Sequence, residues 1–212
     1  LSQVAESASY GGTIEAIAAD DEFVYVGGRT TRTVKKLNKS DLSQVAESAN
    51  YGGSIKAIAI DDEFVYVGGL TTQTVKKLNK SDLSQVAESA DFGGAIYDIA
   101  TDDEFVYAGG PATRTVKKLN KSDLSQVAES ADYGGFIYAI ATDDEFVYVG
   151  GAAQTVRKLR KSDLSRVAES AIYGGTIYDI ATDDEFVYVG GTTKTVRVIE
   201  NRDLIKIIRR YQ

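Results

Sequence analysis

The 212-residue chain contains no cysteine, histidine, tryptophan or methionine, and one proline. Without Cys there is no disulfide framework, thiolate nucleophile or thiolate metal site. Without His there is no imidazole base, Ser-His-Asp triad or His-ligated metal, and no metal or cofactor is expected. Basic charge is short as well: 24 Lys+Arg face 31 Asp+Glu, giving a net charge of −7. A chain bound to nucleic acid or to an anionic membrane carries a basic surface, so neither partner is expected. Long apolar runs are missing too. The longest stretch without a charge, Phe64 to Val75, is 12 residues and includes two glycines, well below the roughly 20 apolar residues of a membrane span. No leader peptide or initiator Met opens the chain at Leu1, which reads as a processed or excised product.

What is present is a repeat. Leu1-Ser2-Gln3-Val4-Ala5-Glu6-Ser7 returns at Leu42, Leu83, Leu124 and, with Arg166 for the Gln, at Leu164. The spacings are 41, 41, 41 and 40 residues, so five units (1–41, 42–82, 83–123, 124–163 and 164–203) and a partial sixth copy at 204–211 fill a single expected domain, 1–212. Periods of this size signal repeated supersecondary units.

Each unit holds four β-like runs divided by turn residues. In the first they are Ile14 to Ala18, Phe23 to Val26, Thr33 to Leu37 and, entering the next unit, Leu42 to Glu47. Asp20-Asp21-Glu22, Gly27-Gly28 onward, Asn38-Lys39-Ser40-Asp41 and Tyr51-Gly52-Gly53 supply the turns. Short runs rich in Val, Ile and Tyr, punctuated this way, predict a four-stranded antiparallel sheet per unit. The first two runs are apolar on both faces, as when sheets stack on sheets.

The segment Ile58-Ala59-Ile60-Asp61-Asp62-Glu63-Phe64-Val65-Tyr66-Val67-Gly68-Gly69 resembles the inner hairpin of YVTN-type and quinoprotein-type β-propeller repeats. The resemblance implies an all-β fold, a five-bladed β-propeller of four-stranded antiparallel blades. The chain lacks the tryptophan that follows the outer strand in quinoprotein repeats, and has no WD dipeptide. Either Leu1 to Ala8 or Leu204 to Tyr211 would complete the last blade and close the ring. The C-terminal segment is preferred, because Val198-Ile199 and Ile205-Ile207-Ile208 diverge together.

Units one and two differ at six positions: Ser9/Asn50, Thr13/Ser54, Glu15/Lys56, Ala19/Ile60, Arg29/Leu70 and Arg32/Gln73. Up-and-down connectivity places five of these on or beside one rim, built from the loops that hold all 20 glycines. The other rim keeps Asp-Asp-Glu in every unit, read as solvated turns rather than a cation ring. A variable loop rim on a fixed scaffold is where recognition sits. Candidate ligand contacts there are Tyr97, Tyr138 and Tyr178 at the head of the innermost strand, the recurring aromatics Tyr10, Tyr51, Phe92, Tyr133 and Tyr173 beside the glycines, and Asp98 and Asp179. The Tyr10 series is equally readable as packing between blades.

The expected function is therefore a non-enzymatic, monomeric binding module. Carbohydrate is the first ligand class, because aromatic faces stack on sugars while Asp and Asn bond hydroxyls. A protein ligand on the same rim and a purely structural scaffold are the alternatives. A glycosidase built on Glu15, Asp98 and Asp179 ranks last, since nothing around those residues breaks the repeat. Near-identity of the units fits recent amplification or deliberate construction equally.

Overall fold

The computed structural model describes residues 3–201, which form nineteen strands in five sheets. The first sheet is β1 (Ile14–Ala19), β2 (Phe23–Gly28), β3 (Lys35–Asn38) and β4 (Gln44–Glu47). The second is β5 (Ile55–Ile60), β6 (Phe64–Gly69), β7 (Lys76–Asn79) and β8 (Gln85–Glu88). The third is β9 (Asp98–Thr101), β10 (Phe105–Gly109), β11 (Val116–Asn120) and β12 (Gln126–Glu129). The fourth is β13 (Ile137–Thr142), β14 (Phe146–Gly151), β15 (Arg157–Arg160) and β16 (Arg166–Glu169). In the fifth, β17 (Ile177–Thr182), β18 (Phe186–Gly191) and β19 (Arg197–Glu200) are the described strands. Every sheet runs up and down in chain order, as the turn residues predict.

Those turns are held by their own side chains. Asp20 Oδ1 accepts the N–H groups of Glu22 (2.9 Å) and Phe23 (2.7 Å), and the same pair of bonds recurs at Asp61, Asp102, Asp143 and Asp183. Such bonds are why Asp is favoured in turns. One detail differs from the expectation. The fourth strand starts at Gln44 rather than Leu42, because Leu42 takes φ +58° and gives its N–H to the Asn38 carbonyl at 2.8 Å. Leu83, Leu124 and Leu164 do the same with φ 60°, 60° and 58°, and their side chains turn inward and are buried. The leucine that opens the second to fifth repeats is thus a turn residue with an apolar side chain.

The core lies between the sheets. One apolar cluster joins Ala16, Tyr25 and Val34 of the first blade to Tyr51, Ile55 and Val65 of the second, and equivalent clusters link the later pairs. The innermost strands pack in the sequence β1, β5, β9, β13, β17. Close approach depends on the first glycine of each Gly pair. A Cβ at Gly27 would stand 2.7 Å from Ile55 Cγ2, one at Gly68 2.6 Å from Ile96 Cγ2, and one at Gly150 2.7 Å from Ile177 Cγ2. These are contacts no real side chain can make, so the residue there must be glycine.

Two polar links accompany the apolar contact at the outer part of each joint. Lys36 Nζ donates to the Lys80 carbonyl (2.7 Å), Lys77 to Lys121 (2.6 Å) and Lys118 to Lys161 (2.6 Å), always from one blade to the next. Each of these lysines is buried and lies over a phenylalanine of its own blade, 3.8, 3.6 and 3.6 Å from the ring centroid. Burial lowers the Lys77 and Lys118 pKa values, against the pull of nearby carboxylates. In the reverse direction, Lys80 reaches Asp20 (2.6 Å), Lys121 reaches Asp61 (2.8 Å) and Lys161 reaches Asp102 (3.0 Å). Burial alone would raise the Asp20 carboxyl, but the Lys80 ammonium and the Phe23 and Glu22 N–H groups outweigh it and hold the pKa at about 2.

Toward the chain ends the expectations stop. Residues 3–8 form no strand and Val4 is exposed, so the described part of the N-terminal segment does not complete the fifth blade. Residues 204–211, the preferred closing strand, lie outside the described residues. Among the described strands the inner packing does not return from β17 to β1.

Lys118→Met should lower stability by about 1–3 kcal/mol, the cost of stranding the buried Lys161 carbonyl. Urea denaturation of parent and variant measures it, and equal midpoints would contradict the role given to the lysine.

Candidate functional site

Glu15, Lys56, Tyr97, Tyr138 and Tyr178 occupy one repeat position, at the head of successive innermost strands. The strand packing makes them a continuous row. Ring centroids of Tyr97 and Tyr138 are 5.7 Å apart with a tilt of 35°, and those of Tyr138 and Tyr178 are 5.4 Å apart, edge to face. Both geometries are favourable for aromatic pairs. Burial raises the Tyr138 hydroxyl pKa, and its two tyrosine neighbours add to the effect. Tyr178 is exposed, and Tyr97 and Tyr138 are half-buried.

The row changes character at its other end. Lys56 Nζ stands 5.9 Å from the Tyr97 ring centroid and 2.7 Å from Glu15 Oε1, which also accepts Arg29 Nε at 2.9 Å. Glu15 Oε2 is buried without a hydrogen-bond partner among the described residues. The structure therefore brings three expected tyrosines together and joins them to an ionic group. It also adds Phe136, exposed and 6.3 Å from Tyr138 edge-on. Phe136 fills the slot held by Thr13, Ser54, Ala95 and Thr176 in the other units, so comparison of the copies carried a signal for it.

Asp98 has a different part. Its Oδ1 accepts the Ile99 N–H at 2.9 Å and its Oδ2 the Ile140 N–H of the next blade at 2.6 Å. The carboxylate thereby ties β9 to β13. Burial pushes its pKa up to about 7, against the two N–H groups and with a contribution from the charge of Asp179. Both oxygens are engaged by backbone, which leaves neither aimed at a substrate oxygen. Asp179, the equivalent residue of the fifth blade, is exposed. Glu15 lies in the first blade, two blades from Asp98, and is engaged by Arg29 and Lys56.

Of the two readings of the Tyr10 series, the structure agrees with packing and not with ligand contact. Tyr10, Tyr51, Phe92, Tyr133 and Tyr173 are all buried. Tyr10, Tyr51 and Tyr173 give their hydroxyls to the carbonyls of Thr33 (2.5 Å), Thr74 (2.6 Å) and Thr195 (2.6 Å), and Tyr133 likewise to Thr155. Over the five rings lie Lys35, Lys76, Lys117, Arg157 and Arg197. Their faces are taken up inside the blade, so they present no stacking platform. The Gly27-type pairs, expected in turns, instead close the second strands, where the first glycine of four of them admits an isoleucine of the next blade. On the constant rim, open clefts lie between neighbouring blades, lined at one joint by Asp61, Tyr66, Lys77, Asp102 and Lys121. Of these, Asp61, Lys77, Asp102 and Lys121 are already engaged in the joints.

A carboxyl whose pKa rises on folding adds stability below its unfolded value near 3.9 and loses it as pH climbs through the folded value. For Asp98 that window ends at about 7. Melting temperature should fall between pH 5 and pH 8 in the parent and fall less in Asp98→Asn. Identical slopes would show that the carboxyl is not perturbed.

Three comparisons with known proteins bear on this architecture. No family profile matches the sequence, and no curated protein does. Among solved structures, the computationally designed Ika8 protein is similar with a TM-score of 0.68 and 14% identity, over 93% of this chain and 74% of that one. The designed Ika4 protein gives 0.67 and 17%, over 73% of this chain and 96% of that one. The WD40 β-propeller domain of Doa1 gives 0.75 and 15%, over 90% of this chain and 66% of that chain. At such identities the likeness concerns the fold alone, and with the five stacked antiparallel sheets it makes the chain an all-β propeller fold.

Proposed function

We propose that this chain is a non-enzymatic recognition scaffold that holds its ligand against the row Glu15, Lys56, Tyr97, Tyr138 and Tyr178. The observation that supports the reading is the junction of two complementary surfaces on adjoining blades: tyrosine faces within stacking distance of one another, and a buried Glu15 Oε2 with no donor. A ligand with a flat apolar face and a hydroxyl answers both. Carbohydrate is the class that carries the two features together, since a sugar ring can lie with its apolar face over Tyr97 or Tyr138. The rest of the repeat is committed to the joints, as expected when a fixed scaffold presents one variable surface. Within the propellers, the inner hairpin sequence favours the YVTN-type repeat.

A purely structural role, whether from amplification or from construction, is the second reading. It is favoured by how completely the repeated residues are used between blades.

The test is a glycan array probed with the parent and with the triple variant Tyr97→Ala, Tyr138→Ala, Tyr178→Ala. A specific signal in the parent that falls on the order of ten-fold or more in the variant, with the melting curve kept, is the expected result. A blank array for the parent would remove carbohydrate, and turnover of a chromogenic glycoside would overturn the non-enzymatic reading.

A further inference from the structure

The joint between blades occurs four times within the chain, and each end of the array carries one unmatched half of it. On the fifth blade, nothing among the described residues lies within 4 Å of the Cβ position of Gly190, the counterpart of Gly27, Gly68, Gly109 and Gly150, which all receive isoleucines. Val196 is 72% exposed there, whereas its counterparts Val34, Val75, Val116 and Val156 are buried. On the first blade, Ile17 is 67% exposed and Ile14 is also exposed, while the isoleucines that fill the glycine sockets, Ile55, Ile96, Ile137 and Ile177, are fully buried.

Polar groups on the two ends match as well. Asp179 is exposed on the fifth blade where Asp98 of the third accepts the Ile140 N–H of the following blade. The residue that would follow it in that role is Ile17. Asp183 stands where Asp20, Asp61 and Asp102 accept a lysine from the next blade, and the lysine at that repeat position in the first blade is Lys39. Two internal contacts have no equivalent: Val198 replaces the buried lysine, and Ala19 has no hydroxyl where Thr101, Thr142 and Thr182 donate backward.

We propose that the exposed face of the fifth blade is a docking surface for the first blade of a second copy of this chain, joined head to tail by the same contact that joins its internal blades. The occupant is fixed by the template: Ile14 would enter the socket at Gly190, Ile17 N–H would face Asp179 and Lys39 would face Asp183. A second copy is favoured over the chain's own first blade because Ile14, Ile17 and Val196, which closure of the chain on itself would bury, are exposed. A contact between unlike faces is heterologous: copies add until a ring closes or a filament grows.

Two variants separate the faces. Gly190→Val fills the socket without touching anything in its own blade. Ile17→Glu puts a charge on the opposite, exposed face. Light scattering coupled to size-exclusion chromatography reads the mass across protein concentration. The parent should exceed the 22.8 kDa of one chain and grow with concentration. Each variant alone should stay at one chain with its melting curve retained, and an equimolar mixture should form a one-to-one pair through the intact face of each. A parent that remains at one chain throughout overturns the proposal, whether its ends meet within the chain or residues beyond 201 cover them. Variants that associate as the parent does would overturn it equally.

Discussion

The structure depends on one close approach: in the first four blades, the first glycine of the second strand lies against the isoleucines of the next blade's innermost strand. At Gly68, even a methyl group would stand 2.6 Å from Ile96 Cγ2. Everything else at the joint follows from that spacing. The tyrosines Tyr25, Tyr66, Tyr107 and Tyr148 become fully buried, and the lysines of the third strands can reach carbonyls in the neighbouring blade. Dispersion and apolar burial scale with such contact, so the stabilising unit is the joint and not the individual sheet. A four-stranded sheet with both faces apolar cannot bury itself, which is the usual condition of repeat architectures.

The polar parts of the joint set its direction. A buried ammonium is costly unless its donors are used. Lys36, Lys77 and Lys118 meet this requirement by bonding a carbonyl and lying over a phenylalanine ring. The aspartates of the first turns do double duty, closing their own hairpins with one oxygen and receiving the neighbour's lysine with the other. At the fourth joint Asn201 takes the lysine's place and bonds Lys158, Tyr148 and Asp143. Constancy of one rim is therefore a structural demand, while the other varies at Glu15, Lys56 and Tyr97 and also at Asp98, whose carboxylate ties β9 to β13.

Much of this was legible in the sequence. The 41-residue period, the four strands per unit and their up-and-down order follow from turn residues and period-two patterning, because local bonds such as Asp20 to Phe23 N–H dictate them. So does the tyrosine row, since one repeat position per innermost strand must form a line. What could not be read is whatever the neighbouring blade decides. Lys35 and Lys36 look alike in sequence, yet alternation turns one over the Tyr10 ring and the other into the joint. The Gly pairs resemble turn formers until an isoleucine from the next unit is placed beside them. The Tyr10 series is readable from the sequence either as ligand contact or as packing, and what decides is a carbonyl 22 or 23 residues onward that takes the tyrosine hydroxyl and a cation that covers the ring. Leu42 was taken into a strand because its left-handed backbone leaves no mark in an apolar residue's identity.

If the joint between neighbours is the unit of stability, removing one whole repeat should remove one joint and leave the others standing. The most direct measurement is equilibrium unfolding of a chain lacking residues 83–123, beside the parent. The account predicts a folded β protein with a lower midpoint, reduced by one nearest-neighbour increment. A chain that fails to fold, or one that unfolds at the parent's midpoint, would contradict it.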